Sequence, residues 1–326
     1  MRAAWFSRQG APDVIEAGAL PTSHAGPGEV RVALHASGVN PADTNRRAGR
    51  GYAMEAPVIV PNSDGAGVVD EVGAGVDRAW LGKRVWLYNG QRGGRVLGTA
   101  AEYIALDVDL VSELADGTSF EEGACLGIPC MTAHRCVALG GDLRGKTVLV
   151  TGGAGAVGHY AIQWAKSLNA RVIATVSSAD KAAHALAAGA DATIDYRRED
   201  VAAGVRAFDP AGVDHVVDVD FGGNLPTILP LLKLDGSIAF YASKGDLTPA
   251  IPAGELMRRN ISIHGMVLNV VHIAARRRAQ ADIVAALRAG TLKNTVAGIF
   301  ALERCADAHE AVEADTKRGT VVVRCR

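Results

Sequence analysis

Net charge is nearly absent from this chain: 34 Lys and Arg residues face 35 Asp and Glu among 326 residues. Nothing electrostatic therefore marks nucleic acid or an anionic membrane as its main partner. No apolar run approaches the roughly 20 residues of a membrane span. The opening MRAAWFSRQGAPDVI has no apolar h-region of a secretory signal. Internal repeats and low-complexity stretches are missing as well. Cysteine is scarce and odd in number: Cys125, Cys130, Cys136, Cys305 and Cys325. That usage reads as free thiols in a reducing compartment, with the cytoplasm as the expected location. The first three are spaced by four and five residues, not in the C-x2-C of a metal clamp, and read as packing thiols. Nine histidines are scattered, and none pairs with a Ser or Cys nucleophile, so hydrolase chemistry is not expected. The basic run Arg276–Arg278 reads as the solvated face of a helix.

What is present is ordinary globular composition, 48% hydrophobic and 21% charged, in a chain long enough for two buried cores. Up to about Glu122, short β-like runs (Glu29–Ala36, Gly65–Val72, Arg84–Leu87, Ala101–Ala105) alternate with Gly and Pro, as in an antiparallel barrel. From Gly123 to Leu268 strands and helices alternate. Strands are expected at 147–151, 171–176, 192–195, 214–219, 236–242 and 261–267. Helices are expected at 130–139, 156–168, 180–188, 199–207, 224–234 and 253–259. That rhythm predicts a doubly wound α/β domain with a parallel sheet. A helix near 272–289, the run VAGIF, a helix near 303–314 and a strand GTVVVRC follow. Their β character matches the first zone. The expected division is therefore 1–122 with 269–326, interrupted by 123–268.

Residues 147–158 read TVLVTGGAGAVG. A buried strand feeds a turn in which Gly153, Ala154, Gly155, Ala156, Val157 and Gly158 fit G-x-G-x-x-G and open a helix. Backbone N–H groups and the positive end of a helix dipole make such a turn a pyrophosphate site, and missing Cβ atoms let the ligand approach. The pattern alone is weak in a chain with 38 Gly; its strand–turn–helix setting makes it a dinucleotide site, nicotinamide or flavin. In NAD-preferring sites an acidic residue ends the next strand. Here RVIATV runs into Ser177 and Ser178, followed by Lys181, where hydroxyls and a cation accept a 2′-phosphate. Asp180 reads as a helix N-terminal residue favoured by the dipole. NADPH is the expected cofactor.

HASGVNPADT (His35–Thr44), VPNSDGAGVVDEVG (Val60–Gly73), GIPCMTA (Gly127–Ala133), the glycine turn and ADAHEAVE near the C-terminus occur in order over some 300 residues. With these motifs the chain resembles the zinc-independent quinone oxidoreductases, the zeta-crystallin-like branch of the medium-chain dehydrogenase/reductase superfamily. The resemblance implies a GroES-like β-barrel catalytic domain, a Rossmann domain and a cleft between them. It also implies a homodimer joined edge to edge through the last Rossmann strand, about Ile261–Val267. Zinc-dependent relatives carry a Cys in the first motif and a His in the second. This chain reads Ala36, Ser37, Gly38, Val39, Asn40 and then Asn62, Ser63, Asp64, and residues 85–120 contain no cysteine for a structural zinc lobe. No metal is expected.

By the same resemblance, Asn40 lies by the nicotinamide ribose and substrate, and Tyr52 lies near the substrate. Both are the expected catalytic residues, with a turn role and a packing role as their respective alternatives. A further family tyrosine is replaced by Asn45. Asp64 matches an acidic position that orients neighbours or is simply a buried carboxylate. Thr132, Tyr196, Gly222, the segment Phe240, Tyr241, Ala242, Ser243 and the segment Met266, Val267, Leu268 match positions along the cofactor. The loop Tyr88–Gly94 is read as a pocket rim. The implied chemistry is hydride transfer from NADPH to a quinone, with solvent or Tyr52 delivering the proton. Two other readings stand beside it: an NADPH-dependent enone or alkenal double-bond reductase, and a non-catalytic NADPH-binding protein with a structural or RNA-binding role.

Overall fold

The computed structural model describes residues 1–51, 53–314 and 317–326. In chain order it contains β1 (Arg2–Trp5), β2 (Glu16–Ala19), β3 (Glu29–Val39), α1 (Pro41–Arg47), β4 (Asp64–Val72), β5 (Arg84–Leu87), β6 (Tyr103–Asp107), β7 (Val111–Glu113) and α2 (Phe120–Gly123). Then come α3 (Met131–Ala138), β8 (Thr147–Val150), α4 (Ala156–Ser167), β9 (Arg171–Val176), α5 (Ala179–Ala187), β10 (Ala192–Asp195), α6 (Val201–Phe208) and β11 (Val213–Asp218). The chain continues with α7 (Phe221–Ile228), β12 (Leu232–Phe240), α8 (Ala253–Arg259), β13 (Ser262–Gly265), α9 (Ile273–Arg288), β14 (Val296–Ala301), α10 (Cys305–Glu313) and β15 (Thr320–Arg324). None of the described helices is long and apolar enough to cross a membrane.

Two compact units form, Met1–Pro129 with Arg276–Arg326, and Cys130–Ala275. The sequence places the partings earlier, after 122 and 268. Residues 123–129 stay with the first unit because the Ile128 N–H donates to the Asp64 carboxylate at 2.9 Å. Most of α9 joins it too: Gln280 Nε2 donates to Ser112 Oγ (2.9 Å) and to Asp109 O (3.1 Å), and Arg277 pairs with Asp109.

The first unit is built on a sheet ordered β14-β15-β3-β4-β5-β7, with β6 also paired to β3. β3 and β4 run antiparallel over a long register, and β15 adds to the other edge of β3. The chain's last strand thus completes a sheet begun by its third. Val39, Val60, Leu302, Ala308, Val321 and Val323 form part of one core here. The β1–β2 hairpin, α1 and β7 have no counterpart in the sequence reading.

The second unit is a parallel sheet ordered β10-β9-β8-β11-β12-β13. In order of appearance that is 3-2-1-4-5-6, the doubly wound nucleotide-binding arrangement, with its topological switch point between β8 and β11. All four residues of β8 are buried, as a strand covered on both faces requires. Leu149, Ile173, Ile194, Val216, Leu225 and Ile238 share its core. The expected helix 224–234 is corrected: α7 spans Phe221–Ile228, a single 3-10 turn covers Leu229–Leu231, and Leu232 already begins β12. Pro230 stops the helix, since it has no N–H to donate and its ring crowds the preceding turn. β13 is shorter than the expected 261–267, leaving Met266 and Val267 beyond the strand.

Candidate active site

In the second unit the glycine turn sits at the carboxyl end of β8. Gly152, the residue before the motif, holds a left-handed φ of 63° that a side chain would strain. Its N–H donates to Thr175 Oγ1 (3.1 Å), and the Gly153 N–H donates to Thr175 O (2.9 Å), tying the turn to β9. A Cβ on Gly153 would lie 2.7 Å from Ala174 Cβ, and one on Gly158 would lie 2.3 Å from Gly152 O. These two glycines let helix, turn and strand touch. Gly155 is different. It is the N-cap of α4, no side chain caps the helix, and a Cβ there would meet nothing nearer than Gly152 O at 3.3 Å. The first-turn amides of α4, from Ala156, Val157 and Gly158, lack intrahelical acceptors and make an anion cradle.

The neighbouring strand ends are drawn to the same edge. Ser177 is buried, and Ser178 is the N-cap of α5, its hydroxyl accepting from the Lys181 N–H at 3.3 Å. A hydroxyl that accepts this way keeps its own proton to donate. Asp180 lies exposed in the first turn of α5, as the dipole favours. Tyr196 follows β10, and its N–H donates to Val176 O (3.0 Å), which sets it beside Ser177. No carboxylate ends β9.

Beyond the switch point the remaining positions gather at the ends of β11, β12 and β13. The Tyr241 N–H donates to Asp218 O, Phe221 N–H to Ala242 O, and Met266 N–H to Phe240 O. Phe240 stacks on Phe221 with ring centroids 4.2 Å apart. The Gly222 amide is occupied: it donates to Ser243 Oγ (3.0 Å), and Ser243 Oγ donates to Asp246 O (2.6 Å). Gly222 is thus given a packing task in α7. Met266 and Leu268 are buried, whereas Val267 is exposed. Thr132 is buried in the first turn of α3.

One residue at this edge was not singled out from the sequence. Asp218 is fully buried; its Oδ1 accepts from Thr151 Oγ1 (2.6 Å) and Asn224 Nδ2 (2.8 Å), while Oδ2 has no partner among the described residues. Burial raises its carboxyl above the usual range, and burial likewise raises the Tyr241 phenol. A polar residue closing an apolar strand was the available signal.

In the first unit the chemistry is carried by side chains. Asn40 caps α1, and its backbone N–H donates to Asp43 Oδ2 (2.9 Å). Its Nδ2 donates to Asp64 Oδ2 at 2.7 Å. Ser63 Oγ donates to Asp43 Oδ1 at 2.9 Å. Asp43 and Asp64 are both fully buried. Burial, with Asp43 nearby, holds the Asp64 carboxyl well above the ordinary range, and burial raises Asp43 as well. A second chain of buried hydrogen bonds supports them: His309 with Asn62 Oδ1 (2.9 Å), Asn62 Nδ2 to Ser37 Oγ (3.0 Å), Ser37 Oγ with Thr99 Oγ1 (2.8 Å) and Thr99 Oγ1 to Asp64 O (2.7 Å). Tyr52 lies outside the described residues. Asp43 was missed, although Asn–Pro–Ala–Asp carries an acid at N3 that can reach back to the N-cap amide.

Two family descriptions match: "Alcohol dehydrogenase GroES-like domain" over residues 26–116 and "Zinc-binding dehydrogenase" over residues 156–288. A Burkholderia 2-haloacrylate reductase is 31% identical over 98% of this chain and 98% of its own length. The human quinone oxidoreductase is 28% identical over 96% of this chain and 94% of its own. Among solved structures, that of the Thermus thermophilus quinone oxidoreductase, also solved in complex with NADPH, superposes with a TM-score of 0.84 at 29% identity. It covers 99% of this chain and all of that one. The chain belongs to the medium-chain dehydrogenase/reductase superfamily, in its quinone oxidoreductase branch. The first unit is its GroES-like domain and the second its Rossmann domain.

The second family description implies zinc, and the donor set does not fit it. Around Asn40 stand an amide, two carboxyls and a hydroxyl already bonded to one another, without the imidazole and thiolate donors that dominate catalytic zinc sites in this superfamily. Among the described residues no three His, Cys, Asp or Glu side chains are grouped to hold a metal. All five cysteines are buried, and burial pushes their thiols far above the usual thiol range, so they are poor ligands and poor nucleophiles.

Proposed function

We propose that the chain is an NADPH-dependent oxidoreductase that reduces quinones. The observation that carries this reading is the glycine-built, uncapped start of α4 beside a β9 end that offers Ser177 and Ser178 and no carboxylate. The quinone oxidoreductases among its relatives, one solved with NADPH, support the same choice.

In this reading the Gly153–Gly158 amides hold the pyrophosphate, while Ser177, Ser178 and Lys181 take the 2′-phosphate. Tyr196 lies by the adenosine ribose phosphate, and the segments Phe240–Ser243 and Met266–Leu268 line the nicotinamide end with Thr132. NADPH, when bound, supplies the hydride. Asn40 orients the reacting partners, and its carboxamide is itself oriented by Asp64, which two Ile128 contacts hold in place. Tyr52 or solvent delivers the proton. No step needs a metal, because the acceptor is already electron-poor. The chain works in the cytoplasm as a homodimer paired through β13, which is the edge of the parallel sheet and is followed by the exposed Val267.

A second reading, reduction of an activated carbon–carbon double bond, is favoured by the 31% identity to the 2-haloacrylate reductase. Steady-state NADPH oxidation against a panel of quinones and enones separates the two. Quinones are expected to turn over fastest. Tight NADPH binding with no turnover of any acceptor would leave only a binding role.

A further inference from the structure

We propose that the natural electron acceptor carries a carboxylate, recognised by Arg92 on the loop between β5 and β6. The proposal deepens the reductase reading and rests on it.

The loop is pressed onto the segment that carries Ser63 and Asp64. The Gly90 N–H donates to Ser63 O at 2.7 Å, and on the returning arm Thr99 N–H donates to Asn62 O (3.0 Å) and Gly98 N–H to Val60 O (2.9 Å). Both arms are therefore fastened next to the Asn40–Asp64 pair. Arg95 stiffens the turn by donating to Asn89 O (2.9 Å) and Gly90 O (3.0 Å). Gly93 and Gly94 form the exposed tip.

The cations of this region are used unequally. Arg46 pairs with Glu55, and Arg47 pairs with Glu313. Arg95 is spent on backbone oxygens. Arg92 is partly buried and donates through Nη1 to Gln91 O (2.9 Å), and no carboxylate of the described residues lies within ion-pair distance of it. A guanidinium has five N–H donors in a fork that matches a carboxylate, so most of its capacity remains. Its charge still reaches the site, since it draws down both Asp43 and Asp64 against the effect of their burial. Gln91 adds a second observation. It is fully buried, and neither its Nε2 nor its Oε1 has a partner among the described residues. Orphaned amide atoms are costly, so this loop carries unmet polar capacity next to the Asn40–Asp64 pair.

The competing explanation is that Arg92 is only a counter-charge for the two buried acids. It acts on Asp43 and Asp64 without touching either, so it would then affect every acceptor alike. A carboxylate-specific role affects one class only.

The test uses a naphthoquinone bearing a short carboxylate arm and its primary amide, which match in shape and redox demand. kcat/KM with saturating NADPH is measured for the wild type, Arg92→Met and Arg92→Lys. The wild type should favour the acid. Arg92→Met should lower the acid-to-amide ratio by roughly ten- to a hundredfold, the range of one charge-assisted contact, and Arg92→Lys should restore part of it. Equal loss on both quinones, an unchanged ratio, or a wild type that prefers the amide would overturn the proposal. Should Arg92→Met not fold, competitive inhibition of the wild type and Arg92→Lys by benzoate against the amide quinone gives the same comparison. Failure of the reductase reading looks different: the wild type would then reduce neither quinone.

Discussion

The carboxyl edge of the Rossmann sheet and the polar cluster of the GroES-like unit are built in opposite ways. At the sheet edge the site is mostly backbone: glycines at 152, 153, 155 and 158, first-turn amides of α4, and a strand end without a charge. In the other unit Asn40, Asp43, Ser63 and Asp64 are side chains that satisfy one another inside the fold. A backbone cradle tolerates almost no added atom but owes its grip on the pyrophosphate to no single side chain. A side-chain cluster tolerates isosteric exchange but suffers when a single donor or acceptor is changed. The contrast predicts distinct failures.

The largest effect is expected within the glycine turn. Gly155→Val should abolish measurable NADPH binding, at least a hundredfold loss, with native circular dichroism, because its Cβ would press only on Gly152 O, at 3.3 Å, while the branched side chain occupies the cradle. Gly158→Val should instead fail to fold its unit, since its Cβ would sit 2.3 Å from Gly152 O. Native folding of both variants with equal NADPH affinity would erase the distinction between the two glycines.

Next comes Lys181→Ala. One charge-assisted contact is worth about 1.5–3 kcal/mol, so NADPH should weaken roughly ten- to a hundredfold while NADH barely changes. If Asp180 accepts the ribose hydroxyls instead, NADH becomes the better cofactor, and titration of both nucleotides reports it.

Asp64→Asn probes the side-chain cluster. The new amide presents a donor where Asn40 Nδ2 and the Ile128 N–H both need an acceptor. A loss of about 1–3 kcal/mol in stability and about tenfold in kcat should follow, with NADPH affinity intact. A parallel loss of NADPH affinity would mean that the two regions are not separable.

The effect furthest from catalysis is acid sensitivity, since it touches stability below pH 6.5 and leaves activity at neutral pH unchanged. Burial pushes His215 down to about 4, and its ring is bonded to Ser237 Oγ and Cys136 O. Below the ordinary histidine value the unfolded chain takes up a proton that the folded chain refuses, so stability falls from about pH 6.5 to pH 4. His215→Asn removes this contribution. The stability of the wild type relative to the variant should drop by about 3 kcal/mol across that interval in denaturant titrations; a constant difference would place the ring elsewhere.

The same contrast explains what could be read from the residues alone. The glycine turn was legible because its chemistry is local, with strand, turn and helix in one stretch of twelve residues. Even there the strained position, Gly152, lies one residue before the motif. Ser177 and Ser178 were legible as a strand end. The environment of Asn40 was not, because its partners are Asp64, 24 residues on, and, through it, Ile128, a further 64. Nothing in local spacing encodes that meeting. The expected helix 224–234 runs too far for a local reason, since Pro230 sits inside it and α7 ends at Ile228.

The most direct measurement is steady-state oxidation of NADPH and of NADH by 1,4-benzoquinone with the purified 326-residue chain. The expected result is quinone-dependent oxidation with kcat/KM for NADPH at least about tenfold above that for NADH, as a single 2′-phosphate contact requires. Quinone-independent rates with both nucleotides would contradict the proposed activity, and equal efficiency would contradict the assignment of Ser177, Ser178 and Lys181 to the 2′-phosphate.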